Sequence, residues 1–521
     1  MHEIISLQFG QRSNYLATHF WNVQESYFTY NQEEQSPVDH DVHFRPGIGI
    51  DGIETFTPRT LIYDLKGGFG TLRKYNALYK SQQQASLPKG LWHGNEVVQQ
   101  QPIITQNEYQ RCLDEGVPPP QLSAETVRYW SDFNRVYYHP RSIVQLNDYE
   151  LNSILMPFEN WHVGEELFEN LDKEQDLLDR DIRPFAEECD QLRALQIFTA
   201  SDDAWGGFAS KYVERLSDEY RRVGVWVWAL EGREKMLKKQ LNQTTNSART
   251  LCAISPQSTI YCPILDPPYS LPSYLSIDLQ SEWDTSALVS SAVETITMPT
   301  RLRHNGDFET SLIGEGGGLR RIFELQSAII PERDDQINQP SNLAGKTPSA
   351  TENEGNKVKV DMTTDFDIDF TVHNNPGKEQ QVFNQVRVIR GLDESSEESL
   401  KDDPRLARKL GLHKGRPNVE MFVALFITLP FNNVPFQTHL RFPIIDSYPR
   451  NLFPRRNRDT GLGICAALTS SSRMGYMIKN MQTTVARTVA VAEREALVNG
   501  LGEIRELYEE GWMSDSDSVD D

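Results

Sequence analysis

The chain has 521 residues, 38% of them hydrophobic, a mean hydropathy of −0.53 and a formal net charge of −22. The length accommodates about two to four domains. The acidity excludes general nucleic-acid binding, which needs clustered Lys and Arg against phosphates, and disfavours non-specific docking on anionic lipid.

Cys112, Cys189, Cys252, Cys262 and Cys465 are scattered and form no CxxC pair, so reduced thiols are expected rather than a zinc site or a disulfide framework. No apolar run approaches the ~18 residues that span a bilayer. The opening MHEIISLQFG carries Glu3 and no cationic region. It reads as folded domain, not as a secretory signal or an Arg-rich presequence, and a cytosolic redox compartment is expected.

Residues 3–9 (EIISLQF) predict a strand that stops at Gly10. The polar GQRSN reads as a loop, and 15–28, with Leu16, Phe20 and Val23 near one face, as a helix. RTLIYDL (59–65) predicts a second strand, ended by Lys66-Gly67-Gly68. Gln- and Pro-rich composition from about 80 to 126 reads as an irregular insert, and 165–195 as charged helix. A third strand, 192–199, runs into SDDAWGG (201–207), which reads as a tight glycine-containing loop. FASKYVERLSDEY (208–220) follows as a helix and VGVWVWAL (223–230) as a buried strand. Apolar strands alternating with helices predict an α/β domain with a mainly parallel sheet.

Beyond about 250 the pattern changes. Residues 288–298 are helix-like, and 331–360 lack large apolar side chains and read as a disordered insert. DFDIDFTV (365–372) alternates, with Phe366, Ile368, Phe370 and Val372 on one face of a half-buried strand. An acidic loop at 393–405 and a buried strand at 420–429 follow. Residues 474–510 read as helical, with Leu497, Leu501, Ile504 and Tyr508 at helical spacing, and SDSDSVDD is a solvated acidic tail in which Ser514 and Ser518 each precede an acid by three.

The series of motifs resembles tubulin. MHEIISLQFGQRSNYLATHFW is similar to its opening strand, Gly-Gln-x-x-Asn-Gln loop and Phe-Trp helix. TPRTLIYDLKGG resembles Pro-Arg-Ala-x-x-x-Asp-Leu-Glu-Pro-Gly, and ENWHVGEE resembles Asn-Asn-Trp-Ala-x-Gly-His. LVSSAVETITMPTRLR looks like the central-domain helix, and LYEEGWMSDSDSVDD like the last helix and tail of an α-tubulin. SDDAWGG lies where tubulins carry Gly-Gly-Gly-Thr-Gly-Ser-Gly. A tubulin-like chain with a degraded glycine loop and a long acidic insert resembles the Misato/Dml family of tubulin-related proteins, most clearly over 1–230 and fading after about 310.

The resemblance places Gln11, Arg12 and Asn14 on the first nucleotide loop, where Arg12 suits a bidentate phosphate contact; the other reading is a surface turn that caps a helix. Asp64 matches a carboxylate that helps hold magnesium through water, or is an ordinary strand-end residue. Lys66 stands where tubulins have an acid; it repels magnesium but suits a phosphate. Asn160 matches a donor to phosphate or ribose, and Trp161 reads as core. Glycines in the phosphate loop supply φ > 0 and close backbone approach. Of Gly206 and Gly207, only Gly207 clearly keeps its place. Asp202 and Asp203 bring negative charge within reach of a triphosphate, each costing on the order of 3–4 kcal/mol at about 4–5 Å and an effective dielectric near 20. The same carboxylates suit capping of the next helix, the protein supplying its own anion where a GTP phosphate would sit. No catalytic residue is assigned: Asn305-Gly306-Asp307 is followed by Thr310 where a tubulin-type acid would stand. GEGGGLRR (314–321) lacks the Gly-Lys-Ser/Thr of a P-loop.

The expected architecture is therefore α/β and tubulin-like. It comprises an N-terminal domain (1–250), a central α+β domain (251–470), a helical segment (471–512) and an acidic tail (513–521). The resemblance implies a non-enzymatic role in partitioning mitochondria and inheriting their DNA, at the mitochondrion and in the cytoplasm. Chaperonin, tubulin or mitochondrial-surface proteins are the implied partners, with peripheral rather than transmembrane membrane association. The alternatives are a GTP-binding switch, with GTP as cofactor, and a cytosolic chaperonin- or microtubule-linked assembly factor.

Overall fold

The computed structural model describes residues 3–29, 36–49, 52–74, 76, 78, 104–233, 236–303, 308–313, 318–330, 366–371, 381–391, 436–453 and 461–509. The expected insert at 331–360, acidic loop at 393–405, strand at 420–429 and acidic tail lie outside these residues. So do Asn305-Gly306-Asp307, residues 314–317, Val372, Ser514 and Ser518.

Strand β1 (Glu3–Phe9) leads through Gly10 into helix α1 (Gln11–Ser26), and β2 (Phe44–Ile48) pairs with β3 (Glu54–Pro58) as an antiparallel hairpin. β4 (Thr60–Lys66), β5 (Ile143–Glu150), β6 (Leu192–Ala200), β7 (Gly224–Gly232) and β8 (Ile260–Asp266) join β1 in a six-stranded parallel sheet of order β5-β4-β1-β6-β7-β8. The sheet thus runs past residue 250, the expected domain boundary, to Asp266. β1 is buried throughout, as a central parallel strand covered on both faces must be. Ile4 faces a core with α1, while Ile5, Leu7 and Phe9 face the opposite one.

Between β4 and β6 lie α2 (Glu108–Glu115), α3 (Trp161–Gln175) and α4 (Arg183–Ala186); α5 (Ala204–Glu219) follows β6 and α6 (Leu237–Ile254) follows β7. Two expectations need correction at helix starts. GQRSN is not a loop, because α1 begins at Gln11 directly after Gly10, whose φ of 82° makes the turn. SDDAWGG is a loop only through Asp203, because that residue caps a helix whose first turn already contains Gly206 and Gly207. The insert expected to be irregular holds α2, with Asn107 at its N-cap and left-handed Gly116 at its end.

α7 (Glu282–Thr297), all of it buried from Trp283 on, packs against α1 and against a second sheet. After the short α8 (Phe308–Ile313), that sheet is built from β9 (Glu324–Ile329), β10 (Ile368–Asp369), β11 (Val382–Arg390), β12 (Phe436–Thr438) and β13 (Ile464–Ser471), in the order β10-β9-β13-β11-β12. Ile368 and Phe370 are buried, as their alternation predicts. The C-terminal helical region is two helices, α9 (Arg473–Thr488) and α10 (Val491–Glu506), packed on α6. No described helix is long and apolar enough to cross a membrane.

Candidate functional site

Strand order reverses between β1 and β6: β4 and β5 lie to one side, β7 and β8 to the other. Such a switch point opens a crevice at the carboxyl ends of the strands, where open α/β sheets bind ligands. The first turn of α1 and the β6–α5 loop face each other there.

Two aspartates occupy this position in different ways. The Asp203 carboxylate accepts the Trp205 N–H at 2.8 Å and caps α5. Asp202 accepts the Arg12 guanidinium at 2.8 Å, the Gly232 N–H at 2.8 Å and the Gln243 amide at 3.1 Å. Asn246 donates to the Asp202 carbonyl at 3.0 Å, and the Thr250 hydroxyl donates to the Ser201 carbonyl at 2.9 Å, tying the loop to α6. The indole of Trp205 lies against Gly10, so any side chain at Gly10 would overlap it. The same ring is parallel to Phe9 at 6.5 Å and edge-on to Phe158 at 5.1 Å.

Gly206 and Gly207 face packed helices rather than the crevice. A Cβ at Gly207 would strike the Trp161 carbonyl, and one at Gly206 would strike the Thr250 hydroxyl. Gly164 meets the Ala204 carbonyl in the same way, so these glycines permit close backbone approach of α3, α5 and α6. The expected phosphate-cradling part of the loop is therefore a helix-packing surface.

Gln11, Asn14 and Asp64 form a second cluster beside the first. Buried Asp64 accepts from Asn14 at 2.7 Å, from the Leu65 N–H at 2.8 Å, from Trp130 at 3.3 Å, and from Gln11. Burial pushes its pKa up to about 7, against the pull of these donors. Lys66 is half-buried at the end of β4. Exposed Asn160 caps α3 by accepting the His162 N–H at 3.2 Å, and Trp161 is buried and donates to Thr250 at 3.1 Å. Arg12, Asn160, Asp202 and Asp203 line one cleft of about 640 Å³, walled by α6 and the α9–α10 turn.

Residues 2–115 match the Misato Segment II tubulin-like domain, and residues 119–302 match the tubulin domain. The chain is 56% identical to protein dml1 of Aspergillus clavatus and of Aspergillus niger, and 40% identical to protein dml-1 of Neurospora crassa, in each case over the full length of both chains. The chain belongs to the Dml1/Misato family of tubulin-like proteins.

Within this Dml1/Misato frame the switch-point crevice differs from a bare glycine phosphate loop. Trp205 lies on one side of Gly10 and Asp203 already takes a free N–H at the start of α5, although both still line a pocket of about 200 Å³ with Gly10, Gln11 and Arg12. Burial and then the Asp202 charge raise the Asp203 carboxyl to about 7 and that of Glu231, at the end of β7, to about 8. Burial raises Asp266, at the end of β8, to about 6. Burial opposes the charge on Arg12, but Asp202 and Asp203 outweigh it and hold the guanidinium protonated. Its charge is thus spent inside the protein. Among the described residues, no three His, Cys, Asp or Glu side chains are grouped to hold a metal.

Sequence reading missed Trp205 and the polar face of α6. The signal for the latter is the 3-and-4 spacing of Gln243, Asn246 and Thr250, which puts amides and a hydroxyl on one face of a helix. Trp205 carries no such signal, because its partner Gly10 is remote in sequence.

Proposed function

We propose that this Dml1/Misato protein is a tubulin-related protein without enzymatic activity. It acts through protein–protein contacts in the distribution of mitochondria and the inheritance of mitochondrial DNA. Family membership supports the organelle role. The observation that carries the non-enzymatic reading is the anion position occupied by the protein's own groups: Trp205 against Gly10, the Arg12–Asp202 pair and the Asp203 cap. A chain that fills its own anion position has no use for a hydrolysis-driven polymer cycle. It works instead as a fixed tubulin-like surface for chaperonin, tubulin or mitochondrial-surface proteins, in the cytoplasm and on the cytosolic face of the mitochondrion.

Cells depleted of the chain test the organelle role. The expected result is clumped or unevenly inherited mitochondria with loss of mitochondrial DNA. Normal mitochondrial inheritance after depletion, or fractionation with no mitochondrial pool, would contradict the reading. Purified protein is expected to release no phosphate from GTP above the buffer rate.

A further inference from the structure

The loop between β5 and α3 presents Ile154, Leu155 and Met156 to solvent, with 95%, 94% and 53% of their surface exposed. A single exposed leucine is ordinary, but consecutive apolar side chains held fully outward mark an interaction site. The loop is fixed at both ends. The Leu151 N–H donates to the Lys66 carbonyl at 3.0 Å, Asn152 takes φ 58°, and the Met156 N–H donates to the Ser153 hydroxyl at 3.2 Å. Phe158 then packs on Tyr149 at 5.0 Å and on Trp205 at 5.1 Å, so the indole that lies against Gly10 also anchors the loop.

This loop forms one lip of the 640 Å³ cleft, whose wall continues through Pro157, Phe158 and Glu159. Across the cleft, α6 contributes Lys239, Asn242 and Gln243, and Leu237 at its start is 70% exposed. The two arginines of the wall are already engaged: Arg12 by Asp202 at 2.8 Å and Arg249 by Glu493 at 3.0 Å. Lys239 and Glu159 then carry opposite charges on the two walls, so the negative sign beside the lip comes from exposed Asp148 and Glu150, which flank the loop.

We propose that this cleft and its Ile154–Leu155–Met156 lip dock a basic amphipathic segment of a partner protein. Apolar side chains of the segment would cover Ile154 and Leu155, and its Lys or Arg residues would meet Asp148, Glu150 and Glu159. Charge selects this occupant. An anionic membrane would be repelled by the carboxylates around the lip, and a second copy would bring another chain of net charge −22. The proposal rests on the protein–protein reading above and gives it a surface and a partner chemistry.

The test is fluorescence anisotropy of a labelled helical Leu/Lys peptide titrated with the full-length chain at physiological salt. Binding should weaken at least about tenfold, or ~1.4 kcal/mol, in the double variant Ile154→Ser/Leu155→Ser, and also in Glu159→Lys. A Glu-for-Lys peptide and a scrambled Leu/Lys peptide should not compete. Because Ile154 and Leu155 are exposed, the double variant should keep the parent's thermal unfolding midpoint. Equal peptide affinity in the double variant would overturn the proposal. So would binding to phosphatidylserine vesicles, or a dimer in sedimentation, that the double variant abolishes. A parallel GTP titration separates the two readings. GTP binding with variant-sensitive peptide binding removes the nucleotide-free reading and leaves the docking site. Variant-insensitive peptide binding without GTP binding does the reverse.

Discussion

Asp202 and Asp203 are adjacent in sequence but act differently. Asp203 is a cap, so Asp203→Ala should cost about 1 kcal/mol in urea unfolding, and Asp203→Asn much less, since Asn caps as well. Asp202→Ala would strip the acceptor from Arg12, Gly232 and Gln243 together and should cost more, about 2–4 kcal/mol. An aspartate just before a helix is readable in sequence; an indole lying on a glycine from a distant strand is not. The buried carboxyls carry a pH prediction. Asp64, Asp203, Glu231 and Asp266 have folded pKa values of about 7, 7, 8 and 6, all above their ordinary values. Each therefore keeps its proton longer in the folded state, so its contribution is complete below the unfolded value near 4 and is lost as pH rises to the folded value. The thermal midpoint should fall from about pH 7 to pH 8, above the range in which His19, His40, His43 and His139, whose pKa values burial lowers, make stability rise with pH. Glu231→Gln should flatten the upper part of that fall, by up to about 1.4 kcal/mol per pH unit for the one proton. A midpoint that rises over this interval would contradict the assignment.

The elements that sequence reveals are the central ones. β1, β6 and β7 are continuous apolar runs because they are covered on both faces. β5 and β8 are edge strands and escape notice: β5 is largely polar and half exposed, and β8 is interrupted by Pro263, which an edge strand tolerates. α6 is hidden for another reason, since much of its buried face is Thr245, Asn246, Ser247 and Thr250. The glycines of SDDAWGG are informative once α3 and α5 are seen to meet backbone to backbone. Gly164→Ala and Gly207→Ala should each lower stability by about 1–3 kcal/mol, because the new methyl meets a carbonyl of the facing helix that cannot swing aside. Neutral effects in denaturant unfolding would mean that the two helices are farther apart than described.

At the scale of the whole molecule, α7 joins the parallel sheet to the second sheet, and its fully buried Glu294 makes the joint specific. Glu294 is fully buried and meets Arg301 at 2.6 Å, Arg390 of β11, and the Tyr27 hydroxyl at 2.9 Å. Glu294→Ala would leave two buried arginines without their acid and should cost about 3–5 kcal/mol, read as a loss of cooperativity between the two sheets on unfolding. The tubulin-like motifs make the fold legible from sequence across much of the chain, whereas the filling of its anion position by Asp202 and Asp203 depends on contacts between distant segments. That self-filling is the centre of the account, and calorimetric titration of the full-length protein with GTP and magnesium tests it most directly. The account predicts no saturable heat of binding. Micromolar binding that disappears in Arg12→Ala would show that the crevice opens to a nucleotide and would contradict it.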